Sequence, residues 1–398
     1  EFKAVGDTVN LASRLESLAE PGAVLMSGAT QRLVEGYVVS SFAGEREVKG
    51  KAEPQRVYRL EGLKPGVDRF EVSLHRGLTR LVGRRREIEA LEESYETASQ
   101  GALAVVSVVG EAGIGKSRVV HDLRQRLEGR NLFFLRGHCS AYGKTTSFLP
   151  FIEIVRTSFH LGTEEDRHGA TDKLTRGLEV LGIEVNQSLP FLLNLLGFEV
   201  DGEALRGLDG EIVGARTREV LRQLIRERCR LSTVVIFIDD LHWIDAATEE
   251  LITLIIKSEE QIPLLFIGAY RPEYLPPWAG QQHVAELHIE PLSDESSIHL
   301  VQNRLGTENV PGELAQLIVE KAEGNPLFAE EITRYLLDSG ALARTESGIS
   351  FHSADADLHV PETLQNMLMA RVDRLEERSR TLLQTAAVIG RRFAVELV

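Results

Sequence analysis

An apolar run, Leu103–Val109, leads directly into Gly110-Glu111-Ala112-Gly113-Ile114-Gly115-Lys116-Ser117. The chain then continues as an amphipathic segment carrying Val119, Val120, Leu123 and Leu127. This succession of strand, glycine-rich turn and helix constrains the fold more than any other stretch. The spacing G-x-x-x-x-G-K-[ST] is that of a loop whose backbone wraps a phosphate. Glycines allow the tight turn and let N–H groups point inward. The N-terminus of the following helix adds partial positive charge. Lys116 would place a point charge on terminal phosphates, and Ser117 would offer a hydroxyl to Mg2+. The bland alternative is a glycine-rich turn with a solvated lysine, and the flanking strand and helix argue against it.

Around this motif the pattern alternates. Strands are predicted at Leu103–Val109, Leu132–Leu135, Thr233–Ile238, Leu264–Gly268 and Ala285–Ile289. Helices are predicted at Arg85–Ser99, Lys116–Glu128, Leu149–Phe159, Thr171–Leu181, Thr217–Cys229 and Ala246–Lys257. Such alternation argues for a parallel sheet with crossover helices. Residues 197–215 are glycine-rich and read as a surface loop. After Pro291 strand signals nearly vanish, and helices are expected at Asp294–Leu305, Pro311–Ala322, Pro326–Ser339, Pro361–Leu375 and Glu377–Val388. Before Leu81 the texture differs: a helical pattern with Leu11, Leu15 and Leu18 on one face, then strands at Ala23–Met26, Tyr37–Phe42 and Arg56–Leu60.

The second element of the nucleotide reading is Val234-Val235-Ile236-Phe237-Ile238-Asp239-Asp240. Five apolar residues in succession suit a strand buried on both faces. Two acids at its carboxyl edge lie where ligands of open α/β sheets bind. Asp239 would hold Mg2+ through water, and Asp240 would orient or deprotonate the attacking water.

The acids continue as Asp-Asp-Leu-His-Trp-x-Asp through Asp245. This string resembles the signal-transduction ATPases with numerous domains, a branch of the AAA+-like P-loop NTPases. Val82-Gly83-Arg84 with Glu87 resembles the family's opening box, which implies backbone contacts to adenine. The resemblance implies nucleotide contacts from Gly110, Gly113, Gly115, Lys116, Ser117 and Arg118. Arg271 stands at the position of the sensor facing the γ-phosphate, or is a surface arginine. Gly324-Asn325-Pro326-Leu327-Phe328 matches the motif of the helical lid, which implies that Pro326 closes over the nucleotide. His242 and Trp243 read as packing rather than catalysis. Arg216 and Arg218 are possible charge partners, but no arginine finger stands out. The resemblance therefore implies ATP bound with Mg2+ and hydrolysed slowly. It covers about residues 80–398, with Pro361–Val398 resembling the start of a winged-helix domain.

Near the beginning, Gly6-Asp7-Thr8-Val9-Asn10-Leu11-Ala12-Ser13-Arg14-Leu15 resembles the closing catalytic motif of class III nucleotide cyclases. Asn10 and Arg14 are i, i+4 neighbours on one helix face. The resemblance implies that Asn10 orients the ribose and Arg14 stabilises charge on the transferring phosphate. Lys49 or Lys51 resembles the family's phosphate-contacting lysine. Lys3 departs from the pattern, standing where the family often has Asp or Thr reading the base. The cyclase's metal-binding aspartates are not found in this stretch, so cyclic-nucleotide synthesis is not expected of it.

The expected fold is thus α/β. A P-loop NTPase domain with a parallel sheet (80–290) precedes a helical lid (291–345) and a truncated winged-helix start (346–398). A ferredoxin-like α+β cyclase remnant (1–60) and a linker (61–79) come first. Charge narrows the partners. Residues 1–130 carry 20 basic and 19 acidic side chains, whereas residues 131–398 carry 25 and 41. A nucleic-acid backbone binder usually shows the opposite excess, so protein partners or attached regulatory domains are expected. The cyclase resemblance implies a dimeric cyclase half in the intact protein. The longest apolar runs are too short to span a bilayer. Cys139 and Cys229 stand far apart and fit a reducing, cytoplasmic setting. The chain opens at Glu1 and closes at Val398 after an apolar pattern, which reads as an internal piece of a longer protein. The reading that competes with an ATPase switch is a nucleotide cyclase in which the P-loop domain is a non-hydrolysing scaffold.

Overall fold

A computed structural model describes residues 7–47, 54–63, 70, 74, 77–141, 146–162, 165–200, 205, 207–258, 261–281, 284–338, 341–345 and 348–351. Lys3, Lys49, Lys51 and the segment Pro361–Val398 lie outside the described residues. The chain divides into two compact units, one of residues 1–78 with 160–169, the other of 79–159 with 170–398.

The first unit holds helix α1 (Asp7–Leu18), strand β1 (Val24–Ser27), helix α2 (Gly28–Val34) and strands β2 (Val38–Arg46) and β3 (Gln55–Leu63). The strands form an antiparallel sheet in the order β1-β3-β2. Val57 on the central strand is fully buried, and Leu15, Met26 and Val38 are also buried. Leu18, expected on the apolar face of α1, is instead exposed, because the helix ends there and the Pro21-Gly22 turn carries the chain away. Helix α2 was not foreseen. Its seven residues are too few for a periodicity, and it is set by Ser27, whose Oγ accepts a hydrogen bond from the Thr30 N–H as an N-cap.

The second unit is built on a five-stranded, all-parallel sheet. Its strands are β4 (Leu103–Val109), β5 (Leu132–His138), β6 (Thr233–Asp239), β7 (Leu264–Tyr270) and β8 (Val284–His288), in the order β5-β6-β7-β4-β8. Burial follows that order. Every residue of β6 and β7 is buried, whereas β5 and β8 at the edges mix partly exposed positions. The unbroken apolar runs are thus the interior strands.

Helices α3 (Arg85–Ser99) and α4 (Lys116–Arg126) cover one sheet face. Ile88, Leu91 and Tyr95 of α3 meet Val119, Val120 and Leu123 of α4 over Val106, Val108, Phe237 and Ile267. Helices α5 (Leu149–Ser158), α6 (Arg167–Val180), α7 (Val185–Leu195), α8 (Gly210–Cys229) and α9 (Ala246–Ile256) complete the crossovers. On the other side of the sheet, Phe266 meets the fully buried Trp278 edge-on, with ring centroids 6.0 Å apart.

Two helices and a hairpin of this unit also depart from expectation. Helix α7 forms despite Pro190 in its interior, because burial of Leu192 and Leu193 and packing against α8 outweigh the missing N–H. Helix α8 starts at Gly210, inside the stretch read as a loop. Asp209 caps it there, its Oδ1 accepting from the Ile212 N–H at 2.8 Å. Strands β9 (Leu342–Thr345) and β10 (Gly348–Phe351) form an antiparallel hairpin where strand signals were nearly absent. Four-residue strands are too short for alternation to register.

The helices expected after Pro291 are present as α10 (Asp294–Leu305), α11 (Gly312–Ala322) and α12 (Pro326–Asp338). They share a core of Leu300, Leu305, Leu314, Ile318, Ile332 and Leu336.

Both thiols are buried. Burial pushes Cys229 up to about 12, and Cys139 is raised by burial and by the nearby Asp245, Asp240 and Asp239. Neither is a thiolate near neutrality. We therefore expect no reaction of the native protein with a disulfide reagent at pH 8, and two thiols titrated after denaturation. A fast-reacting thiol in native protein would contradict the burial.

Candidate functional site

The loop between β4 and α4 folds as its glycines require. Gly113 and Gly115 have φ of 78° and 105°, a region side chains disfavour. Gly115 is the N-cap of α4. Five consecutive loop carbonyls each accept a hydrogen bond. The Lys116 ammonium donates to the carbonyls of Gly110 at 2.8 Å and Glu111 at 3.0 Å. The Asn325 amide donates to that of Ala112 at 2.9 Å. The Leu327 N–H donates to that of Gly113 at 3.4 Å, and the Arg84 guanidinium to that of Ile114 at 3.2 Å.

Lys116 is buried, and desolvation lowers its pKa while Asp239, Asp240, Glu111 and Glu273 work in the opposite direction. The Ser117 hydroxyl donates to Asp239 Oδ2 at 2.5 Å, joining the helix start to the end of β6. Arg136 on the neighbouring β5 lies 3.8 Å from the same oxygen. Neither sequence spacing nor motif announced Arg136; its register opposite β6 brings it there.

Asp240 follows in a left-handed conformation, φ 54°, which Asp tolerates better than most residues. Its N–H donates to Asp239 Oδ1, while its own carboxylate is half exposed, 3.8 Å from His242 Nδ1. His242 and Trp243 lie ring to ring at 5.1 Å, and the His242 side chain is 6% exposed, so the pair packs. Asp245 caps α9. It accepts from the N–H and hydroxyl of Thr248 and from the Phe148 N–H, a structural role at the end of the acidic string.

Arg271 begins the loop after β7, whose last residue, Tyr270, accepts the Gly110 N–H at 3.2 Å. Arg271 lies 4.0 Å from Glu273, and its Nε is buried without a hydrogen bond among the described residues. Arg218, the other possible charge partner besides Arg216, is paired with Glu250 of α9. In the opening box, Arg84 is committed to Glu87 and to the Ile114 carbonyl. Gly83, at φ 71°, allows the close approach of Ser296 and Leu292 at the start of the lid. Val82 lines a groove of about 630 Å³ together with His299 and Asn303 of α10. Arg118 donates to the Thr79 carbonyl, and the Thr79 hydroxyl donates to Glu330 of α12 at 2.8 Å. Pro326, half-buried, opens α12 directly after Asn325. In the first unit Asn10 is exposed and Arg14 half-buried on α1.

This arrangement presents a buried ammonium and a hydroxyl–carboxylate pair at the carboxyl edge of a parallel sheet. Mg2+ is held by one or two carboxylates together with phosphate oxygens, and Ser117 with Asp239 fits that pattern of oxygen donors. Among the described residues no helix is long and apolar enough to cross a membrane.

Residues 80–267 match the family model of the AAA ATPase domain, residues 1–62 that of the adenylate and guanylate cyclase catalytic domain, and residues 293–346 a domain of unknown function (DUF8739). An uncharacterized protein of Rhizobium meliloti is 26% identical over 411 residues, covering 99% of this chain. The chain spans 38% of that relative's length. Among solved structures, a Walker-type ATPase of Pyrococcus abyssi aligns at 15% identity over 79% of each chain, with a TM-score of 0.39. A signal-transduction ATPase with numerous domains and a tetratricopeptide repeat sensor, from Pyrococcus horikoshii, aligns at 17% identity over 80% of this chain and 36% of that one, TM-score 0.34. The chain thus matches the adenylate and guanylate cyclase catalytic domain over residues 1–62 and the AAA ATPase domain over residues 80–267, the stretch that holds the Gly110–Ser117 loop.

Proposed function

We propose that the second unit is a nucleotide-operated switch that binds Mg-ATP, hydrolyses it slowly and passes the nucleotide state through the lid to attached domains. The supporting observation is the meeting of Ser117 and Asp239, 122 residues apart in sequence, beside a buried Lys116. On this reading Lys116 leaves the Gly110 and Glu111 carbonyls for the terminal phosphates. Ser117 and Asp239 would hold Mg2+, which would supply positive charge against the phosphate oxygens. Asp240, half exposed at the strand end, takes the proton of the attacking water. Arg271 supplies the cation facing the transferring group, and Glu273 competes for its charge, which is why we infer slow turnover. Val82, Gly83 and Pro326 flank the base. The domains we assign are 1–60, 61–79, 80–290, 291–345 and 346–398. Protein partners in a reducing, cytoplasmic setting fit the acidic balance beyond residue 130 and the two buried thiols.

Asp240→Asn tests the base assignment. Single-turnover hydrolysis should fall by about 100-fold while ATP stays bound. Unchanged turnover would reject Asp240 as base, and a wild-type protein that binds no ATP would reject the switch.

The second reading, a cyclase carrying a non-hydrolysing P-loop scaffold, draws on the match of residues 1–62. Asn10 and Arg14 would then act on ribose and α-phosphate in a dimeric cyclase. Incubation of this chain with Mn2+ and ATP is expected to give no cyclic nucleotide; robust cAMP formation would favour the cyclase.

A further inference from the structure

The outward-facing carbonyls of the phosphate loop are not all satisfied from within the loop. Two depend on the lid: Ala112, through the Asn325 side chain, and Gly113, through the Leu327 backbone. A phosphate loop works only with its carbonyls turned away from the anion and its N–H groups turned toward it. Whatever fixes those carbonyls therefore sets the affinity for phosphate.

Asn325 is built for two tasks at once. Its Oδ1 accepts from the N–H groups of Leu327 at 3.1 Å and Phe328 at 3.4 Å, capping α12. Its Nδ2 is left to reach the Ala112 carbonyl across 213 residues of sequence. The side chain is buried, at 7% exposure, so water does not readily replace either bond. The loop receives it closely. A Cβ at Gly113 would stand 3.0 Å from both Asn325 Oδ1 and Leu327 Cδ2. Behind Asn325, Gly324 at φ 73° allows its own carbonyl to accept the Leu292 N–H at 2.8 Å, and a Cβ there would meet the Leu292 carbonyl at 2.5 Å. The turn therefore has one way to present Asn325.

We propose that Asn325 is a positioning residue for the phosphate loop. Its amide holds the Ala112 carbonyl outward when the lid is docked, so that lid docking and nucleotide affinity are one coupled equilibrium. The coupling to nucleotide rests on the ATPase reading above; the control of loop order does not. By linkage, a nucleotide that tightens the loop stabilises the docked lid by the same factor.

The test separates the two tasks of the side chain. Asn325→Asp and Asn325→Ser keep an oxygen that caps α12 and remove the donor to Ala112. Hydrogen exchange of the peptide spanning residues 110–117 is measured first, without nucleotide. Both variants should exchange at least fivefold faster there than wild type, with exchange in the α12 peptide unchanged. ATP binding is then measured by calorimetry with Mg2+. The affinity should fall tenfold or more in Asn325→Asp and by a smaller factor in Asn325→Ser. Wild-type exchange at 110–117 in both variants overturns the proposal. So does faster exchange with ATP affinity within twofold of a binding wild type, since the loop is then not coupled to the nucleotide. Should wild type bind no ATP, the ATPase reading falls, and the exchange measurement alone decides whether Asn325 orders the loop.

Discussion

Lys116→Ala is expected to lower the affinity for ATP by at least about 100-fold, or some 2.7 kcal/mol. The size follows from where the ammonium sits. Lys116 is 7% exposed, so its charge acts on a phosphate with little screening. Desolvation pulls its pKa down, and four carboxylates, Asp239, Asp240, Glu111 and Glu273, pull the other way. The acids offset part of the desolvation, and the net shift stays downward. Alanine also leaves the Gly110 and Glu111 carbonyls without their donor, a stability cost of about 1–3 kcal/mol. The two effects read out separately, as ATP affinity by calorimetry and as denaturation midpoint. Lys116→Arg restores charge but brings a planar fork in place of a compact ammonium, and we expect it to recover little affinity. Binding by Lys116→Ala within threefold of wild type would remove Lys116 from the site.

The second large effect is structural and begins one strand away. Gly268→Val should destabilise the second unit by about 1–3 kcal/mol, the range for overpacking a filled core. For a unit of about 300 residues that lowers the melting temperature by roughly 1–5 °C. A Cβ at position 268 would stand 2.5 Å from Leu241 Cδ1 and 3.3 Å from Phe266 Cε1. Leu241 is fully buried and begins the single turn that follows Asp239 and Asp240. Space for the valine is gained by moving that turn. Hydrolysis should therefore suffer more than ATP binding, since Asp240 shifts while the phosphate loop stays anchored. Leu241→Ala is costly alone, yet in the double variant it should return part of the lost stability, the positive coupling expected of neighbours. Additive losses in that cycle would show that the two side chains do not compete for the same space.

The relation between sequence and structure differs from element to element. Strands β4, β6 and β7 were legible because interior parallel strands are apolar on both faces and leave an unbroken run. Helices α3, α4 and α9 were legible through their period. Helix α2 and the β9–β10 hairpin were not, because seven or four residues carry too few positions for a period to show. Helix α7 was hidden by Pro190, and neighbouring helices supply the burial that offsets it. At the site, Gly110 to Ser117 and Asp239-Asp240 were readable as local strings. Arg136 was not, since only strand register sets it opposite Phe237 on β6, from where its guanidinium comes within 3.8 Å of Asp239 Oδ2. Asn325 was visible inside its motif, but its bond to Ala112 was not.

By itself the amino-acid sequence determined that a phosphate loop would sit between a buried strand and an amphipathic helix, with paired acids at the end of another buried strand. These are properties of short windows, where turn chemistry and burial period are written residue by residue. Only the tertiary structure decided which carbonyls of the loop are held by which distant groups: Lys116 from within, Arg84 from the opening box, and Asn325 and Leu327 from the lid. The physical reason is that a hydrogen bond between groups 213 residues apart depends on how two packed bodies meet, and no local pattern encodes that meeting.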